Sequence, residues 1–135
     1  MDNEIGNTEG MKLSEVAEKI FRGNLAMIND CDIVIANITP FRGPSVDPGT
    51  AYEIGAAFAL GKPIFYYVSD DEEYNHDFSI RSKEYRDSAF PVIEEFGQID
   101  NLMISRSSLL PNHAFRDLES CLSHVRHSLQ KRKAG

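Results

Sequence analysis

Two carboxylates, Asp47 and Glu53, bracket the segment Asp47-Pro-Gly-Thr-Ala-Tyr-Glu53, where a loop gives way to an apolar stretch. That stretch contains Ala51, Ile54, Gly55, Ala56, Ala57, Phe58, Ala59 and Leu60, so Glu53 is its only charge. A helix of such composition is usually buried. A carboxylate on its first turns is costly to bury unless it is capped, paired or at work. Paired carboxylates suit a reaction that develops positive charge, as an oxocarbenium-like sugar does. One attacks or stabilises the sugar; the other binds hydroxyls or protonates the leaving group. A structural reading competes. Thr50-Ala-Tyr-Glu53 fits the S/T-x-x-E capping box, which would tie Glu53 to the helix start. Asp47-Pro48 offers an earlier start, with Asp47 as N-cap and proline at the first helical position, and would release Glu53. Local pattern leaves both starts open.

The neighbouring elements decide where these groups stand. Ile33-Val-Ile-Ala-Asn-Ile38 is a continuous, partly β-branched run, which predicts a strand over Asp32 to Ile38 covered on both faces. Thr39-Pro40 stops it. The helix that follows ends near Leu60, with Gly61 as terminator, and Ile64 to Val68 is a second buried strand. Strand, loop, helix and strand in this order form a βαβ unit, hence a parallel, right-handed crossover. Ligands of parallel sheets sit beyond the C-terminal strand ends. That rim carries Asn37, Phe41, Arg42, Asp47 and Glu53, with Gly43 and Gly49 lowering the steric bulk.

The rest is predicted more coarsely. Residues 1–11 are polar and read as irregular. A helix spans Lys12 to Asn29, with Val16, Ile20 and Met27 at helical spacing. Ser69 to Tyr85 reads as an irregular charged stretch. Its contiguous Asp70-Asp-Glu-Glu73 is a solvated acidic loop rather than a set of spaced metal ligands. Asp87 to Phe96 forms a short helix, Gly97 to Asn101 a turn and Leu102 to Ile104 a third strand. A last helix, Ala114 to Lys131, carries the stripe Phe115, Leu118, Leu122, Val125 and Leu129.

The 135 residues argue for one domain over 1–135. A hydrophobic fraction of 41% is ordinary for a globular chain, and a net charge of −7 with no basic stripe disfavours binding to a nucleic-acid polymer. Cys31 and Cys121 read as buried thiols. No targeting signal or membrane-length apolar run is visible, so a cytoplasmic protein without membrane association is expected. Neither a dinucleotide fingerprint nor a P-loop pattern occurs, and no metal or other cofactor is implied.

The stretch from Asp32-Ile-Val-Ile-Ala-Asn-Ile-Thr-Pro-Phe-Arg-Gly-Pro through Asp47-Pro-Gly-Thr-Ala-Tyr-Glu53 to Gly61-Lys-Pro63 closely resembles the nucleoside 2-deoxyribosyltransferase family. The likeness extends from about Leu13 to Met103. It implies that Glu53 attacks the anomeric carbon of a 2'-deoxynucleoside, releases the base and holds the sugar until a free nucleobase accepts it, a reaction of nucleobase salvage. It implies that Asp47 assists or binds the deoxyribose. Asn24 stands where some members contact the base through an aspartate. Phe41 and Arg42 would lie near the base, and Asn101 would reach the sugar site of a neighbouring identical subunit. The family's leading strand, of the type Ile-Tyr-Leu-Ala-Gly-Pro, has no counterpart here. The expectation is therefore a flavodoxin-like (Rossmann-like) three-layer α/β domain, N-terminally truncated, oligomeric, and nearly inactive by itself. A nucleoside or deoxynucleotide N-glycosidase, or a non-catalytic nucleoside-binding paralogue, is the alternative.

Overall fold

The computed structural model describes residues 12–85 and 93–134. The chain divides into two compact units, Met1–Cys31 and Asp32–Gly135. Within the first, α1 (Leu13–Asp30) is an 18-residue helix whose C-cap, Cys31, donates its N–H to the Met27 carbonyl. The expected helix is thus present, shifted by one residue toward the C-terminus.

The second unit is built on one parallel strand pair, β1 (Val34–Asn37) and β2 (Ile64–Tyr67), joined by α2 (Pro48–Ala59). Val34 pairs with Ile64 and Asn37 with Tyr67, so the C-terminal ends of both strands share one rim. Strand alternation sorts the side chains. Phe65, Tyr67, Ile33 and Ile35 face α5 (Leu118–Ala134), where Cys121 and Val125 complete a cluster. Val34, Ala36, Ile38, Ile64, Tyr66 and Val68 point to the other face. Helix α2 contacts both strands and buries Ile54 and Ala57. Gly61, at φ +74°, ends α2 in the left-handed region that a Cβ disfavours.

Three expectations fail. Ser69 to Tyr85 is not wholly irregular: α3 (Phe78–Glu84) forms, with Asp77 accepting from the Ser79 N–H as N-cap. Leu102 to Ile104 is not a strand but one turn of helix, α4 (Leu102–Ser105), capped by Asn101. An apolar triplet fits either conformation; here the Asn101 cap and the Tyr66 hydroxyl, which donates to the Ile104 carbonyl at 2.7 Å, go with the helical turn. The third position in the sheet falls instead to Phe115, which bridges Tyr67 in parallel. Its N–H donates to the Tyr66 carbonyl, and its carbonyl accepts from the Val68 N–H. The last helix consequently starts at Leu118 rather than Ala114, with the Asp117 carboxylate capping the Ser120 N–H. The short helix expected over Asp87 to Phe96 falls largely on 86–92, outside the described residues, while 93–96 are not helical.

Asp77 and Asp117 both lie below the ordinary carboxylate range, Asp77 through the Ser79 hydroxyl and Asp117 through the Ser120 N–H. A lowered folded pKa contributes stability that is present above the unfolded value, near pH 4, and is lost as pH falls through the folded value. Urea unfolding midpoints measured between pH 5 and pH 2 should therefore decline less steeply for Asp77→Asn and Asp117→Asn than for the parent, because asparagine keeps the cap but does not titrate.

Candidate active site

Asp47 is the N-cap of α2, with Pro48 at the first helical position. Its Oδ2 accepts from the Thr50 N–H at 3.0 Å and from the Thr50 hydroxyl at 3.4 Å. The helix therefore begins at the earlier of the two possible starts, and Thr50 does not cap it. Gly49 makes room for this carboxylate: a Cβ there would lie 3.1 Å from Asp47 Oδ2.

Glu53, on the second turn, is half-buried, and its carboxylate has no hydrogen bond or ion pair among the described residues. The helical rise places it about 9 Å beyond Asp47 along the axis, too far for a direct contact. The two acids are thus independent: one fixed to the backbone, the other uncommitted.

Other rim residues are braced. The Asn37 amide spans the two strand ends, donating from Nδ2 to Ser69 Oγ at 2.8 Å and accepting from the Thr39 N–H and hydroxyl. Arg42 has φ +54°, unusual for a residue with a side chain. Its guanidinium lies 4.9 Å from the centre of the Phe41 ring, and both residues are exposed. Loop 41–45 closes through the Phe41 N–H donating to the Ser45 carbonyl. Asn101 is held twice: Oδ1 accepts from the Met103 N–H, and Nδ2 donates to Glu94 Oε1 at 3.0 Å. Glu94 Oε2 also accepts from the Leu102 N–H. Asn24 lies exposed on α1, in the Met1–Cys31 unit, so the rim is described without it.

Beneath the rim lies a polar layer that the sequence reading missed. Asp100 is fully buried; Ser45, the Val46 and Asn101 N–H groups and Arg81 surround it. Burial pushes its carboxyl above the ordinary range, and these donors pull it back. The Tyr74 hydroxyl is pushed up to about 12, mainly by burial, and donates to the Ile99 carbonyl. Asp77-Phe-Ser79 was a legible start signal for the helix that carries Arg81, but nothing local marked Arg81 or Asp100 as buried. No group of three or more histidine, cysteine, aspartate or glutamate side chains converges as a metal site among the described residues. No helix among them is long and apolar enough to cross a membrane.

Residues 1–103 match the family model of nucleoside 2-deoxyribosyltransferases. An uncharacterised protein of Schizosaccharomyces pombe is 30% identical over 118 residues, covering 82% of this chain and 56% of that protein. The chain thus spans little more than half the length of this curated relative. A solved structure titled as a 2-desoxiribosyltransferase from Leishmania mexicana is 29% identical, with a TM-score of 0.58, covering 87% of this chain and 71% of that one.

The two possible duties of Asp47 separate by substitution. Asp47→Ala should cost about 1 kcal/mol of stability through loss of the cap, and Asp47→Asn only a few tenths. Chemical denaturation of both variants, alongside binding of a 2'-deoxynucleoside by calorimetry, tells them apart. Weakened binding in the stable Asp47→Asn variant marks a substrate role beyond the cap.

Proposed function

Because the chain belongs to the nucleoside 2-deoxyribosyltransferase family, we propose that it transfers 2-deoxyribose between nucleobases, with Glu53 as the nucleophile. The observation that carries this reading is the half-buried Glu53 carboxylate, which has no structural partner among the described residues. No neighbouring donor ties it to the helix start, which leaves the carboxylate available as a nucleophile. The similarity to the Leishmania mexicana structure supports the same chemistry.

In this reading a Glu53 carboxylate oxygen forms a bond to the anomeric carbon as the glycosidic C–N bond breaks. The bonding pair leaves with the base, which takes up a proton. The resulting glycosyl ester is then attacked by a ring nitrogen of a second base, Glu53 departs as carboxylate, and that base gives up a proton. Splitting one displacement into two lowers each barrier. Asp47, on the adjoining turn, binds the sugar hydroxyls or assists the leaving group. Asn37, Phe41, Arg42 and Gly49 contribute the surrounding rim. Water in place of the second base gives hydrolysis.

Glu53→Gln keeps the size and removes the charged nucleophile. Exchange between deoxyinosine and adenine, followed with protein in excess so that slow turnover is seen, should fall roughly 10³-fold or more. The unfolding free energy should stay within about 1 kcal/mol of the parent. Near-parental exchange by this variant would sink the assignment.

Asn101 supplies the site of a neighbouring identical subunit. Inactive Glu53→Gln and Asn101→Ala chains, mixed and allowed to exchange subunits, should regain part of the activity, since some sites then hold both native residues. Subunit exchange seen by native mass spectrometry with no recovered activity contradicts a shared site.

A further inference from the structure

Asp100 is wholly buried, and its carboxylate gathers two parts of the chain that lie far apart in sequence. Oδ1 accepts from the Ser45 hydroxyl at 2.5 Å and from the Asn101 N–H at 2.7 Å. Oδ2 accepts from the Val46 N–H at 3.2 Å and lies 3.6 Å from Arg81 Nη2. Arg81 is only 5% exposed. Its Nε donates to the Pro44 carbonyl at 2.9 Å, Nη1 to the Asn75 carbonyl and Nη2 to the Ile99 carbonyl, both at 2.6 Å. Its guanidinium lies 4.5 Å from the Tyr74 ring centre and 5.5 Å from that of Phe78.

A buried ion pair is a poor source of stability, because desolvation offsets most of the attraction and apolar replacements often do as well. Its use here lies in what it holds. Pro44, Ser45 and Val46 run directly into Asp47, and Asn101 follows Asp100. A planar guanidinium with fixed donor directions and a two-oxygen acceptor set orientation as well as distance. The geometry points to Arg81 and Asp100 as positioning residues for the deoxyribosyl transfer: through the Ser45–Val46 backbone they place Asp47, and through its N–H they place Asn101. This inference rests on the reading of Asp47 and Asn101 as sugar-site residues. It adds two groups, neither of which touches substrate, that decide where those residues stand.

The test combines amide hydrogen exchange with kinetics on the full chain. Asp100→Asn and Arg81→Lys should each lower protection at the Val46 and Asn101 amides at least tenfold, with protection at Phe65 and Tyr66 following only the global stability. Asp100→Asn should also lower the rate of base exchange at least tenfold in the parent background and by a smaller factor in an Asp47→Ala background, where only its hold on Asn101 remains to be lost. Equal losses in both backgrounds, or unchanged protection at Val46 and Asn101, overturn the inference. If Asp100→Asn does not fold, Ser45→Ala removes one donor without changing the charge pair and should show the same pattern at smaller amplitude; parental protection and rate in that variant count against the inference. A parent chain that performs no base exchange defeats the transfer reading, and amide protection alone then decides whether the pair positions these segments.

Discussion

Parallel pairing of β1 with β2 sets the terms for the rest of the second unit. Two parallel strands cannot be joined by a tight turn, so the chain must cross over, and the crossover here is α2. The crossover makes the chain leave β1 at one rim and re-enter β2 at the opposite end. The segment that opens α2 is therefore delivered to the rim where both strands finish. Asp47 stands there because a helix has to begin there, and its carboxylate satisfies one of the N–H groups that every helix start leaves open. Glu53 falls nearly two turns further along the same helix. The placement of both acids follows from strand direction before any side-chain contact is considered.

The outer edge of β2 is closed with little regular structure. On the side of β2 away from β1, Phe115 forms a one-residue bridge, while the Leu109 N–H and the Ser108 hydroxyl both donate to the Ile64 carbonyl. Asn112, at φ +57°, ties this segment back: its Oδ1 accepts from the Ile99 N–H and its own N–H donates to the Ser105 carbonyl. The chain between α4 and α5 thus closes the edge of β2 through turns and side-chain contacts. Such contacts carry no periodic signature, so sequence pattern does not reveal this edge.

What was legible follows from this contrast. The β1–α2–β2 unit declares itself through apolar runs, a Pro stop and a Gly stop, all of them local signals that the structure reproduces, and of the two helix starts that the pattern leaves open it takes Asp47-Pro48. The family resemblance, carried by the same stretch, is supported by the match over residues 1–103. Phe115 misled because it continues the apolar spacing of α5 backwards, although Asp117 already marked the true start. Leu102 to Ile104 misled because three apolar residues carry too little periodicity to separate one helical turn from a strand. Arg81 and Asp100 were invisible for a different reason. Each looks like an ordinary charged surface residue, and only the approach of segments 44–46, 74–78 and 99–101 removes them from water. Glu53 could be singled out because the residues around it in sequence are apolar; Asp100 could not, because the groups that enclose it are largely distant in sequence.

Cys121 is fully buried where α5 meets β2, in contact with Phe65 and Val125, and burial raises its thiol pKa. A protonated thiol without solvent access does not react with alkylating reagents. Labelling of this sulfur therefore waits for α5 to lift from the sheet, and under gentle conditions its rate follows how often that opening occurs. The half-buried Cys31 lies outside this cluster, and its Sγ donates to the Ile28 carbonyl at 3.1 Å. The chain thus carries, without any added tag, a chemical clock for the breathing of one layer of its second unit.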